Sequence, residues 1–185
     1  MLSLVALDIE PTGLDPQTDS IIEIGAVRFS SRRVENEWSS LINPGRHIPP
    51  FITQLTGITD QMVLESPPIR AVLADLRDFV GDAIVLGHNV GFDLSFLRKQ
   101  GVLRQNDSID TYEMAAVLIP SAGRYNLGAL GQALSIPLSA THRALDDARV
   151  TRAVFLRLYE MALEMPLHLL AEIVRLSEST EWLGY

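Results

Sequence analysis

Residues 3–7, Ser-Leu-Val-Ala-Leu, form an apolar run that leads directly into Asp8-Ile9-Glu10. A run of strand length that is apolar on both faces suits a strand buried in the middle of a sheet. The acids then stand at the strand's carboxyl end, where open α/β sheets form ligand crevices. Alternate residues of a strand share a face, so Asp8 and Glu10 can point toward one spot. The plain alternative is an acidic turn before Pro11-Thr12-Gly13.

The rest of the chain decides how that strand is packed. Gly13 and Asp15-Pro16 break the chain before Ile21–Phe29, a second strand rich in β-branched residues. A third, Val34–Ile42, ends at the turn signal Asn43-Pro44-Gly45. Beyond Pro49-Pro50 the period changes. Apolar residues at 69, 72, 73, 76, 79 and 80 predict a helix over Pro68–Val80. A short strand at Ala83–Leu86, a helix at Phe92–Gln100 and a strand at Ser108–Asp110 follow. Helices are expected at Tyr112–Leu118, at Leu127–Leu134 with Asn126 as its cap, at Ala144–Glu164, and from Pro166 to about Ser177. Strands first, then strands alternating with helices, predict a three-layer α/β domain with a mixed central sheet flanked by helices.

Composition narrows the chemistry. The chain of 185 residues has no cysteine, which removes thiol catalysis, disulfide-linked partners and Cys-based metal sites. No apolar run reaches the roughly 18 residues of a membrane span, and Met1–Asp8 lacks a signal peptide's basic flank. A cytoplasmic location is the default expectation. The net charge of −8 argues against coating nucleic acid by bulk electrostatics. An enzyme gripping a few nucleotides through cations remains compatible, because bound cations invert the local sign.

Two further acids stand where solvated acids do not belong. Asp93 opens a helix, where a carboxylate complements the helix dipole. Yet Phe96 and Leu97, three and four residues on, put it over the apolar face. In His142-Arg-Ala-Leu-Asp146-Asp147 the adjacent aspartates differ by roughly 100° around a helix. Asp147 aligns with Ala144, Thr151, Val154, Leu158 and Ala162, whereas Asp146 falls on the surface. His142 lies just before the helix begins. Four carboxylates converging from distant segments would repel one another unless some took up protons. Hard divalent cations remove the conflict, and an all-oxygen donor set suits Mg2+ or Mn2+. Two such ions about 4 Å apart form a clamp for phosphodiester hydrolysis. His142 is then left to take a proton from the attacking water.

Together these segments resemble the DnaQ-like (DEDDh) 3′→5′ exonucleases. Asp8-Ile-Glu10-Pro-Thr12-Gly13-Leu14 is similar to the family's first motif, His88-Asn89-Val-Gly-Phe92-Asp93 to the second, and His142-Arg-Ala-Leu-Asp-Asp147 to the third. Leu55-Thr-Gly-Ile58-Thr59 and Ile109-Asp110-Thr111 look like accessory segments. The resemblance implies a ribonuclease H-like fold and the release of nucleoside 5′-monophosphates from a single-stranded 3′ end, DNA more than RNA. It implies that Asp8, Glu10 and Asp147 hold one metal ion and Asp8 with Asp93 the second. It casts His142 as general base, and Thr12, Gly13, Leu14, Ile58, Asn89 and Phe92 as lining the terminal nucleotide. A polymerase or helicase partner is implied, since residues 48–58 and the leucine-rich tail look like exonuclease domains that precede DinG-type helicases.

One departure from the family is Pro11, where threonine is frequent; proline removes a backbone N–H and fixes φ. His88 is expected to be structural despite its motif. Residues 1–164 read as the exonuclease domain and 165–185 as a helix and tail packing on it or leading to a partner. A second apolar stripe, Leu145, Leu156 and Leu163, awaits a cover from that helix or from a partner. The rival readings are a binding module that has lost turnover and an oligoribonuclease-type RNA processor.

Overall fold

The computed structural model describes residues 3–138 and 142–177. Strands β1 (Leu4–Pro11), β2 (Ile21–Ser30), β3 (Arg33–Leu41), β4 (Ile84–Gly87) and β5 (Ser108–Asp110) form one sheet in the order β3-β2-β1-β4-β5. The first three pair antiparallel, and β4 and β5 run parallel to β1. The sheet is therefore mixed, with β1 at its centre.

Alternation along β1 sorts the two helical layers. Val5, Leu7 and Ile9 join the cluster built with α3 (Ile69–Val80) and α4 (Val90–Lys99). Leu4 and Ala6 face the opposite way, into the cluster that holds Ala148 and Phe155 of α7 (Ala144–Leu163). Asp8 and Glu10 continue this second set, so they meet α7. Strand β4 pairs with β1 only through Leu4–Ala6. The last residues of β1 thus run past their neighbour and leave one strand edge open beside the start of α4.

Pro11 closes β1 at an irregularity where Glu10 faces Glu23 but Pro11 faces Ile21. A proline is tolerated there because a bulge already interrupts the ladder. Helices α5 (Thr111–Leu118) and α6 (Leu127–Ala133) pack beside α7, and the Asn126 side chain caps α6 by accepting the Ala129 N–H at 2.8 Å.

Two helices were not expected from the sequence, α1 (Pro50–Thr56) and α2 (Asp60–Val63). At 7 and 4 residues they are too short to display a period. Pro50 starts α1 rather than breaking the chain, since a first-turn proline has no N–H to lose. Gly57 ends it at φ 73°, donating its N–H to Thr53. The final helix is α8 (Leu167–Ser177). Of the second apolar stripe, Leu145 and Leu156 are partly buried against the cluster that holds Ala148 and Phe155, whereas Leu163 is 66% exposed. No described helix is long and apolar enough to cross a membrane.

Phe29 anchors α7 to the sheet. Fully buried, its ring meets Phe155 edge-on at 6.1 Å, and the Arg152 guanidinium lies 5.3 Å over its face. Phe29→Ala is expected to lower stability by about 3–5 kcal/mol, measured by equilibrium urea unfolding.

Candidate active site

Oxygens of Asp8, Glu10 and Asp147 lie within 4.8 Å of one another. Two come from the end of β1 and the third from the first turn of α7, which crosses the sheet directly over them. Asp147 reaches inward because Ala144, Thr151, Val154 and Leu158, on the same stripe, are all fully buried. Asp146 turns outward and pairs with Arg149 at 2.8 Å.

Asp93 arrives from the opposite layer. Phe96 and Leu97 bury the face of α4 on which it stands, and the acid is itself buried. Its Oδ1 accepts the N–H of Ile9 at 3.0 Å, a donor on the strand edge that β4 leaves open. The start of α4 is held by Asp110, whose carboxylate accepts the N–H groups of Asn89 and Val90 at 2.9 Å. Asn89 adopts a left-handed conformation there, φ 63°. His142 stands at the rim, 61% exposed, with Nδ1 3.6 Å from Oδ2 of Asp147. His88 is structural in setting: Nδ1 meets the Thr111 hydroxyl at 2.9 Å, and the ring lies edge-on to Tyr112.

Burial and mutual repulsion push these acids toward their neutral forms. Glu10 is raised to about 8, by burial first and then by Asp147, Glu23 and Asp93, while Arg143 opposes the shift. Asp8 is raised well above the usual carboxylate range by burial, Asp93 and Glu10. Burial also raises Asp93 against the pull of the Ile9 N–H, and Asp147 against the pull of His142. Such a donor set, all oxygen and short of positive charge, fits hard divalent cations.

The residues expected to meet substrate divide into two groups. Leu14 projects 83% exposed from a loop that is tied down on several sides. Asp19 accepts the Thr12 hydroxyl and the Asp15 N–H, Lys99 donates to the Pro16 and Gln17 carbonyls, and Arg46 donates to Thr18. A Cβ on Gly13 would strike the Asp19 carboxylate at 2.4 Å, so glycine is needed for this brace. Asn89 is exposed and Phe92 half-buried against Phe96. By contrast Thr12 and Ile58 are buried, Ile58 within a cluster of Ile22, Ile48, Ile52 and Val63. Neither side chain is presented at the surface. Sequence reasoning missed Glu23, a buried acid beside Glu10; the signal was the one acid inside the largely apolar run Ile21–Phe29.

An acid whose folded-state pKa lies above its unfolded value binds its proton more tightly when folded. Its contribution to stability is complete below the unfolded value and is lost as pH rises through the folded one. In chelator, the melting temperature is expected to fall by several degrees between about pH 5 and 8, and manganese to restore it at pH 8. Thermal melts across that range check this; a flat profile in chelator would mean the carboxylates are already compensated.

The family model described as Exonuclease (RNase_T) matches residues 5–155. The PolC-type DNA polymerase III of Thermotoga maritima is 38% identical over 97% of this chain, which spans 14% of that relative's length. The DNA polymerase III subunit epsilon of Aquifex aeolicus is 34% identical over 85% of this chain and 81% of its own. The 3′-5′ exonuclease DinG of Bacillus subtilis is 36% identical over 94% of this chain and 19% of its own length. Among solved structures, Exonuclease X in complex with 5′ overhanging duplex DNA superposes with a TM-score of 0.73 at 26% identity, over 89% of this chain and 95% of that one. Exonuclease I of E. coli in complex with a dA16 oligonucleotide gives a TM-score of 0.75 at 21% identity, over 87% of this chain and 41% of that one, a likeness of the ribonuclease H-like fold.

Proposed function

The chain belongs to the DnaQ-like 3′→5′ exonuclease family, and on that premise we propose that it removes nucleotides singly from the 3′ end of single-stranded DNA with two divalent cations, Mg2+ or Mn2+. The observation that carries the reading is the meeting of Asp8, Glu10 and Asp147 within 4.8 Å, with His142 at their rim. That its relatives are named as DNA polymerase III chains and as the DinG exonuclease favours DNA over RNA.

In this reading Asp8, Glu10 and Asp147 hold one cation, and Asp8 with Asp93 the other. Cations bound there supply Lewis acidity at the scissile phosphate and offset the carboxylates' repulsion. His142 takes the proton of the attacking water at Nε2, since Nδ1 faces Asp147, whose carboxylate stabilises the imidazolium that forms. Leu14 lies against the terminal base, with Gly13, Asn89 and Phe92 completing the surface around it, over a floor that Thr12 and Ile58 shape. Residues 1–164 form the catalytic domain, and the segment from residue 165 leads toward a polymerase or helicase partner.

Incubating the protein with 5′-labelled single-stranded DNA and RNA tests this. The expected result with manganese is a DNA ladder shortening from the 3′ end, absent in chelator and in Asp147→Ala. An intact oligonucleotide throughout would favour a module that binds without turnover, and faster loss of RNA would make it an RNA processor. His142→Ala should retain manganese binding while kcat falls roughly a hundredfold or more. Leu14→Ala should leave the melting temperature unchanged, because the side chain packs against little of the fold, and raise KM about tenfold.

A further inference from the structure

Helix α7 carries both His142, at its threshold, and Asp147, in its first turn, yet it has no side-chain cap of its own. An acceptor comes instead from β2. The Glu23 carboxylate, 4% exposed, accepts the Ala144 N–H at 2.9 Å. The same carboxylate accepts Nε of Arg143 at 3.0 and 3.1 Å and its Nη2 at 2.6 Å. Two residues along the strand, Gly25 makes room for the helix: a Cβ there would stand 2.1 Å from the Leu145 nitrogen and 2.3 Å from the Ala144 carbonyl carbon. Glu23 and Gly25 pair across the ladder with Glu10 and Asp8. One strand thus seats α7 directly opposite the two carboxylates that α7 must meet.

We propose that Glu23 is a positioning residue for the exonuclease reaction: through Arg143 and the Ala144 N–H it fixes the height and rotation of α7, and with them His142 and Asp147. The inference rests on the roles given to those two residues. Stability alone does not account for the pair, because a buried ion pair is frequently replaceable by apolar groups without loss. An apolar contact would hold the helix near the sheet but would not fix its rotation, whereas a guanidinium fork on a carboxylate is directional. The first helical bond, from the Asp147 N–H to the Arg143 carbonyl at 2.9 Å, carries that orientation to the ligand. The pair is neutral as a whole: Glu23 pushes the Glu10 pKa up and Arg143 pushes it down, so the seat adds little net charge to the site.

The test uses Glu23→Gln and Arg143→Lys in the full chain, assayed on labelled single-stranded DNA and titrated with manganese. Glu23→Gln keeps the shape and leaves Arg143, 35% exposed, able to turn to water, so the fold survives. The expected result is a kcat lower by about ten- to a hundredfold with KM within twofold, and a manganese affinity several-fold weaker because Asp147 is misplaced. Arg143→Lys keeps the charge and loses the fork, so it is expected to lose kcat similarly. Folded Glu23→Gln with wild-type kcat and manganese affinity would overturn the proposal, as would full activity in Arg143→Lys or a loss that vanishes on cooling. His142→Ala separates the two readings. If that change alone left kcat intact, the histidine's role would fall, while the seat would still stand or fall on the manganese affinity of Glu23→Gln.

Discussion

Beyond Ala6 the central strand has no partner on its β4 side, and the site follows from that open edge. An exposed ladder edge leaves N–H groups that must find acceptors. The Ile9 donor takes the carboxylate of Asp93, which sets the start of α4 against the strand end. The overhanging residues alternate as the rest of the strand does. Asp8 and Glu10 are therefore turned toward α7 by the same pleat that turns Val5 and Leu7 toward α3 and α4.

Bringing buried acids to one place works against folding, and the fold tolerates this because its two layers are otherwise densely apolar. Three of the four acids have a local compensation: a backbone N–H for Asp93, His142 for Asp147, and the nearby Arg143 for Glu10. None of these neutralises the group. The charge deficit that remains is of the kind a hard divalent cation offsets.

Much of this was legible in the residues themselves. The two-faced apolar run before Asp8, the helical stripe that singles out Asp147 from Asp146, and Phe96 and Leu97 beneath Asp93 each marked an inward acid. Long elements were read to within a few residues, because burial imposes a period on them. Helices α1 and α2 were not, since one and two turns carry no period and Pro49-Pro50 looks like a break. Glu23 went unread because one acid in a strand shows nothing of its partner 120 residues away.

The sequence by itself determined which carboxylates face inward, since side-chain direction follows from the local periods of strand and helix. It also narrowed the chemistry, because a chain without cysteine offers only oxygen and imidazole donors to a cation. Only the tertiary structure decided that Asp93 is held by a strand-edge N–H, that Thr12 and Ile58 are buried rather than presented at the surface, and that Glu23 and Gly25 of β2 meet the start of α7. These depend on where one strand outruns another and on how closely a helix approaches a glycine. Such distances are set by the packing of whole layers, and no local pattern encodes them.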